Sequence, residues 1–223
     1  KRQNARYSLV RYANVIDTRS SVAPLFLKQK ESGVLTITDP DMTRFSIAKR
    51  DGVDLVMTAV TDGLGGDIFM PISPSYRVGD MAEAIAPDAE HRIIGSRPGE
   101  KMHEIMFSMV ESPQVVKRGA NYVFLPRTGR WDVAPYCEQT GATKLETLFE
   151  YGSGDNDQWL SVDDIRSVLR DEGMIACVGE VELEGRIQGE AWLAVMSVGE
   201  PQRLGRPTQV AAQHVAEPSA RCH

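Results

Sequence analysis

The stretch YSLVRYANVIDTRSSVAPLFLKQKESG, residues 7–33, decides the fold. Tyr7 to Ile16 is rich in β-branched and aromatic residues and reads as a buried strand. After a turn, Ser20 or Ser21 can N-cap a helix from about Val22 to Lys30, with Pro24 tolerated in its first turn and Gly33 ending it. Leu35 to Thr38 is then a short strand closed by Asp39-Pro40. Strand, turn, helix and strand in this order are an α/β pattern, and the alternation continues to residue 95.

From Ile47 to Val60 the apolar residues Ile47, Val53, Val56, Met57 and Val60 recur at three- and four-residue steps, which predicts a helix with these on its packed face. Gly63 to Gly66 stops it. Asp67 to Pro71 reads as a strand, Val78 to Ala86 as an amphipathic helix stopped by Pro87, and His91 to Gly95 as another strand. After Ser108 the pattern thins to loops and short strands such as Tyr122 to Leu125. A helix returns at Ser161 to Arg170, where Ser161 and Asp164 have capping-box spacing with Asp in place of Glu or Gln. This predicts a compact unit over residues 1–173 and a tail, 174–223, outside it and partly disordered.

Composition narrows the class. The chain has 223 residues, 42% hydrophobic and 25% charged, which is ordinary for a globular α/β or α+β protein. A net charge of −6 without a Lys/Arg cluster argues against nucleic acid as a partner. Cys137, Cys177 and Cys222 are widely spaced, with no C-x-x-C and no His at zinc-finger distance, so neither a disulfide framework nor a metal site is indicated. That usage fits a reducing cytoplasm. No apolar run approaches the ~20 residues of a membrane span, and the basic N-terminus has no apolar segment behind it.

Catalytic signatures are missing as well. A dinucleotide site needs a glycine-rich turn between strand and helix, whereas Gly63-Leu64-Gly65-Gly66 follows a helix and precedes a strand, and so reads as a helix stop. None of the six tyrosines has Lys four residues on, the spacing that would tune a phenol as acid or base. No G-x-S-x-G elbow or H-E-x-x-H helix occurs, and His103-Glu104 reads as structural. No catalytic residue is therefore assigned to this chain.

Three motifs supply donors instead. In Arg11-Tyr12-Ala13-Asn14-Val15, Asn14 at a strand end can offer an amide to a sugar or phosphate, or can simply cap a turn. Arg44 in Met42-Thr43-Arg44-Phe45 and Arg97 in Arg97-Pro98-Gly99-Glu100-Lys101 each carry a planar fork suited to phosphate. Glu100 can accept from ribose hydroxyls or orient an Arg.

In order and spacing these motifs, with the later Asp155-Asn156-Asp157-Gln158-Trp159-Leu160-Ser161, resemble the C-terminal half of the inverting UDP-N-acetylglucosamine 4,6-dehydratases of the extended short-chain dehydrogenase superfamily. The resemblance implies an incomplete Rossmann-type unit, its last strand region only, plus a small α/β substrate-binding subdomain. It implies that Asn14, Arg44, Arg97 and Glu100 contact a UDP-N-acetylhexosamine, and that Val15, Ile16, Asp17, Thr18 and Arg19 border NADP. The sequence departs from the family pattern at Ala13, Asp17 and Ser20, where the pattern has Gly. These place bulk, and at Asp17 a negative charge, beside an anion. Since Lys1 stands where an initiator Met would and a strand follows almost at once, the expectation is that the catalytic half lies upstream and that the fragment alone is inactive. The alternatives are a UDP-hexose epimerase of the same superfamily, and a non-catalytic nucleotide-sugar-binding or orphan fragment. The family also suggests homo-oligomers for a full-length protein.

Overall fold

The computed structural model describes residues 6–18, 21–127 and 131–176. The tail predicted for 174–223 lies, from residue 177 on, outside the described residues, as does Arg19. Met174 and Ile175 pack against the core, and the Met174 N–H donates to the Leu169 carbonyl at 2.8 Å.

The α/β reading holds, with strands and helices arranged around a partial sheet. β1 (Leu9–Val10) runs parallel to β4 (Ile68–Pro71), which pairs antiparallel with β9 (Asn121–Phe124). β8 (Val115–Arg118) and the short β10 (Thr143–Lys144) complete the sheet in the order β1-β4-β9-β8-β10. The strand predicted from Tyr7 to Ile16 is thus far shorter. The chain stays on the sheet only until the Arg11 N–H reaches the Phe69 carbonyl at 2.8 Å, and Val15 then meets Ile47 in an isolated bridge. The Arg11 side chain donates to the Met106 carbonyl at 2.7 Å and pairs with Glu111, where the chain leaves the ladder.

Three two-stranded pairings account for the other strands, one of them β7 (Ile105–Phe107) antiparallel with β11 (Tyr151–Gly152). β2 (Val34–Ile37) runs parallel to β6 (Glu90–Ile93), and β3 (Thr43–Phe45) runs antiparallel to β5 (Ser75–Arg77). The helices α1 (Val22–Lys30), α3 (Val78–Ile85) and α5 (Val162–Asp171) bury Phe26, Leu35, Ile37, Met81, Ile85 and Leu169 in one core. The capping box is made in both directions: Asp164 N–H donates to Ser161 Oγ at 3.2 Å, and Ser161 N–H to Asp164 Oδ2 at 2.9 Å. Asp reaches as well as Glu would because Ser161 keeps extended dihedrals at the helix entry.

The helix predicted around residues 47–60 forms as α2 (Lys49–Asp62), with a different packed face. Gly52, Leu55 and Ala59 are buried against β1 and β4, while Val53, Val56, Met57 and Val60 stay exposed, Val60 at 72%. The helix has apolar residues on two sides, and periodicity alone does not say which side meets the sheet.

Gly63 to Gly66 is the helix stop expected. A Cβ on Gly63 would lie 2.3 Å from both the Ala59 carbonyl oxygen and Ser8 Oγ, so only glycine fits. The fully buried Asp67 carboxylate then gathers the loop. It accepts from Ser8 Oγ at 2.5 Å, Leu64 N–H at 3.0 Å, Gly65 N–H at 3.2 Å and the Tyr136 hydroxyl at 3.1 Å. The Tyr136 belongs to a further helix, α4 (Val133–Thr140). Asp67→Ala strips the acceptor from four donors at once and should lower unfolding free energy by at least about 3 kcal/mol in a urea titration. A loss under about 1 kcal/mol would show that the loop is held by other means.

Candidate functional site

A cavity of about 300 Å³ opens between α1, β2, β3, β5 and the loop after β6. Asn14, Arg44, Arg97 and Glu100, predicted from three separate motifs, all line it. Their convergence follows from the local pairings. Arg44 sits in the middle of β3, directly across the ladder from Tyr76 on β5. Asn14 is delivered by the exit from β1, and Arg97 and Glu100 by the loop leaving β6.

Arg44 is the most firmly placed. Its Nη1 donates to the Thr43 carbonyl at 2.7 Å and to the Met102 carbonyl at 3.2 Å, and its Nε lies 3.6 Å from Glu104 Oε1. Glu104 is in turn held by Ser153, which is fully buried. The Glu104 N–H donates to Ser153 Oγ at 2.9 Å, and Ser153 N–H donates to the Glu104 carbonyl at 2.8 Å. The Ser153 hydroxyl also meets Thr43, at 3.1 Å from its carbonyl and 2.7 Å from its hydroxyl, and the Thr43 hydroxyl meets His103 Nδ1 at 2.8 Å. His103 and Glu104 are both tied into this clasp, with Glu104 also lining the cavity. A Cβ on Gly154 would lie 2.8 Å from the His103 ring, so this clasp also needs glycine beside it. The Asp155 to Ser161 segment continues along β5. Asn156 Nδ2 donates to the Ser73 carbonyl at 2.8 Å, and Ser75 N–H donates to the Gln158 carbonyl at 2.8 Å.

Arg97 and Glu100 are exposed and form a local turn, in which the Glu100 carboxylate accepts the Arg97 backbone N–H at 3.1 Å. Glu100 therefore shapes the loop and leaves the Arg97 guanidinium unpaired among the described residues. Gly99, at φ 83°, makes the turn possible. Asn14 makes no side-chain hydrogen bond among the described residues, so its amide is free, and the turn-capping alternative is not what this geometry uses.

The residues predicted to border a cofactor are less uniform. Val15 and Ile16 line a narrow recess behind the cavity with Asn14, Ser21 and Tyr76, but the Ile16 side chain is only 3% exposed and belongs to the core. Asp17 adopts φ 62°, alone among the described non-glycine residues in the left-handed region, and pairs with Lys49. The Thr18 hydroxyl closes the turn on the Val15 carbonyl at 3.0 Å.

Sequence reasoning missed other residues of the lining, notably Ser21, Thr36, Thr38, Tyr76 and Glu104. Ser21 stands at the N-cap of α1, yet its hydroxyl makes no cap bond and has no partner although it is shielded from solvent. The positive end of the α1 dipole therefore faces the cavity without its usual side-chain cap. Tyr76 is 3% exposed, and burial pushes its phenol up to about 12, with Arg44 pulling against that rise and Glu104 adding to it. Nothing in sequence spacing pairs residue 76 with residue 44; the β3–β5 register does. A larger cleft, about 460 Å³, lies between β1 and α2 and is lined by none of the motif residues. Among the described residues no group of His, Cys, Asp and Glu is placed to hold a metal, and no helix is long and apolar enough to cross a membrane.

The chain is similar to known proteins. The sequence pattern of the family described as polysaccharide biosynthesis protein matches residues 1–125. An inverting UDP-N-acetylglucosamine 4,6-dehydratase of Campylobacter jejuni is 35% identical over 175 residues, covering 75% of this chain and 52% of that protein. A UDP-glucose 4-epimerase of Rickettsia conorii is 38% identical over 169 residues, covering 72% of this chain and 48% of its own. In three dimensions the chain resembles the X-ray structure of Pen from Bacillus thuringiensis, with a TM-score of 0.66 and 25% identity over 76% of this chain and 51% of that one. The chain spans about half the length of the relatives it matches. The resemblance read from the three motifs is borne out, and since the family pattern takes in more than half of its residues, the chain belongs to the polysaccharide biosynthesis protein family.

Proposed function

We propose that the cavity binds the nucleoside diphosphate part of a UDP-N-acetylhexosamine, and that the chain is the substrate-binding portion of a C5-inverting UDP-N-acetylglucosamine 4,6-dehydratase of bacterial surface-sugar biosynthesis. One observation carries the reading: donors from three motifs far apart in sequence line one cavity in an acidic chain. Arg44 is held with its fork partly satisfied by carbonyls, and Arg97 stands with its fork free, so a diphosphate entering between them gains charge-assisted hydrogen bonds. The free Asn14 amide and the uncapped N-terminus of α1 add neutral donors on the same side. A volume of about 300 Å³ is at the lower end for ligand sites, which suits part of a nucleotide sugar better than the whole.

The relatives' cofactor does not fit the described residues as a complete site. A dinucleotide needs a glycine-rich turn between strand and helix, and the one glycine cluster after α2 is occupied by the Asp67 network. Val15 to Thr18 could supply only a border to NADP, with Asp17 already committed to Lys49. In this reading the residues of the chain bind and orient the substrate, and the catalytic acid, base and hydride carrier lie outside it. The sparse, widely spaced cysteines support a cytoplasmic location for such a protein. The Rickettsia relatives favour a second reading, a UDP-hexose epimerase, in which the same cavity holds the same UDP group.

Arg97→Ala should weaken UDP binding by the chain roughly ten- to more than a hundredfold, the equivalent of about 1.5–3 kcal/mol for a charged hydrogen bond. Titration calorimetry checks this, and unchanged affinity would remove the phosphate role from Arg97. Incubation with UDP-N-acetylglucosamine and NADP should yield no 4-keto product by NMR above a protein-free control. Turnover would overturn the assignment of catalysis to residues outside this chain.

A further inference from the structure

Buried polar groups in folded proteins are almost always paired, so unpaired ones that share a cavity call for an explanation. Two hydroxyls of this cavity lack partners. Tyr76 is buried as a residue, at 3% exposure, and lines the cavity, where its phenol makes no hydrogen bond among the described residues. Ser21 Oγ is wholly shielded and likewise unbonded. Both line the cavity and also the narrow recess behind it, together with Asn14.

Position adds to this. Tyr76 and Arg44 are registered partners across the β3–β5 ladder, so their side chains leave the sheet on the same face a cross-strand step apart. The guanidinium is anchored at its base by the Thr43 and Met102 carbonyls and by Glu104, which fixes where an anion bound to it would lie. A phenol that keeps its proton to about pH 12 is a donor throughout the physiological range and cannot serve there as a base. Packing in the core beside Val78 and Met81 fixes the ring, and with it the hydroxyl at the cavity wall.

We propose that Tyr76 is a ligand-binding residue, its hydroxyl donating to a phosphate oxygen of the nucleoside diphosphate held by Arg44. The inference rests on the reading of the cavity as a nucleoside diphosphate site and adds a donor that none of the three motifs contains. It also explains why the β3–β5 pairing, rather than a loop, carries this wall: two donors on rigid neighbouring strands fix an oxygen without an entropic cost at binding.

The test is Tyr76→Phe in the 223-residue chain, titrated with UDP, inorganic pyrophosphate and uridine. Affinity for UDP and for pyrophosphate should fall about tenfold, as for a lost hydrogen bond to a charged acceptor, with uridine binding unchanged. Thermal stability should stay level, because the substitution removes a hydroxyl with no hydrogen bond among the described residues and keeps the ring. A structural role would give the reverse pattern, a lower melting temperature with unchanged affinity, and would overturn the proposal. So would a loss confined to uridine, which would move the hydroxyl to the nucleoside. If UDP binds and Arg97→Ala weakens it while Tyr76→Phe does not, the cavity reading stands and the Tyr76 assignment fails. If the unaltered chain binds neither UDP nor pyrophosphate, both fall together.

Discussion

The hydroxyl of Ser153 is the point on which the candidate site depends. Buried where no water reaches, it meets the Thr43 carbonyl and hydroxyl and accepts the Glu104 N–H, so that three segments far apart in the chain share one group. Thr43 precedes Arg44, and Glu104 is the carboxylate beside it. The position of the guanidinium is therefore set by a neutral hydrogen-bond network, not by the ion pair alone, whose 3.6 Å separation and partial exposure make it a weak restraint. In a low-dielectric interior such a network is costly to leave half made, which makes the wall of the cavity rigid before any ligand arrives. Preorganisation of this kind is what lets a site hold an anion without first ordering its donors.

How much of this the sequence revealed can be seen element by element. Helices α1, α3 and α5 were legible because each has a stop or a cap at the expected place: Gly33 after α1, Pro87 after α3 and the Ser161–Asp164 box before α5. The four motif residues of the cavity were legible because they stand in recognisable motifs, and Arg44 and Arg97 carry a charge that stands out in an acidic chain. Tyr76, Ser21 and Glu104 were not. Their roles arise from cross-strand register and from a hydroxyl that fails to make its cap, and neither leaves a trace in local spacing. The strand at Tyr7 to Ile16 was over-read for a related reason, since β-propensity speaks for a half-buried surface and not for how long the neighbouring strand accompanies it.

The α2 helix shows where periodicity misleads. Val53, Val56, Met57 and Val60 form a true stripe, but the stripe faces away from the sheet, while Leu55 and Ala59 pack inward beside Gly52. A repeating apolar pattern states that a face is suited to being covered; it does not name the cover. Here the inward face carries Gly52, Leu55 and Ala59, and even a Cβ added at Gly52 would meet Val15 Cγ2 only at an ordinary 4.0 Å. The exposed stripe borders the same cleft as the open edge of β1, where Tyr7 is 76% and Leu9 54% exposed. Apolar surface and an unpaired strand edge are thus concentrated on one side, and the polar cavity lies elsewhere.

Asp17 brings together the sequence departure and the backbone. The family pattern places glycine there, and the chain does adopt the left-handed conformation that glycine enters freely, at φ 62°. Asp tolerates that region better than most residues, since its short carboxylate can bond locally, and here it finds Lys49 at the start of α2. The turn has therefore kept its shape while its chemistry has changed: a position that could offer bare backbone to an anion now holds an ion pair. That pairing raises the Lys49 pKa through the hydrogen bond to Asp17, so the lysine remains charged and the turn close to neutral. Conformation alone would favour reading the turn as a phosphate border, whereas the carboxylate that occupies it argues against an anion there and leaves the proposed phosphate contacts to Arg44 and Arg97 on the other wall.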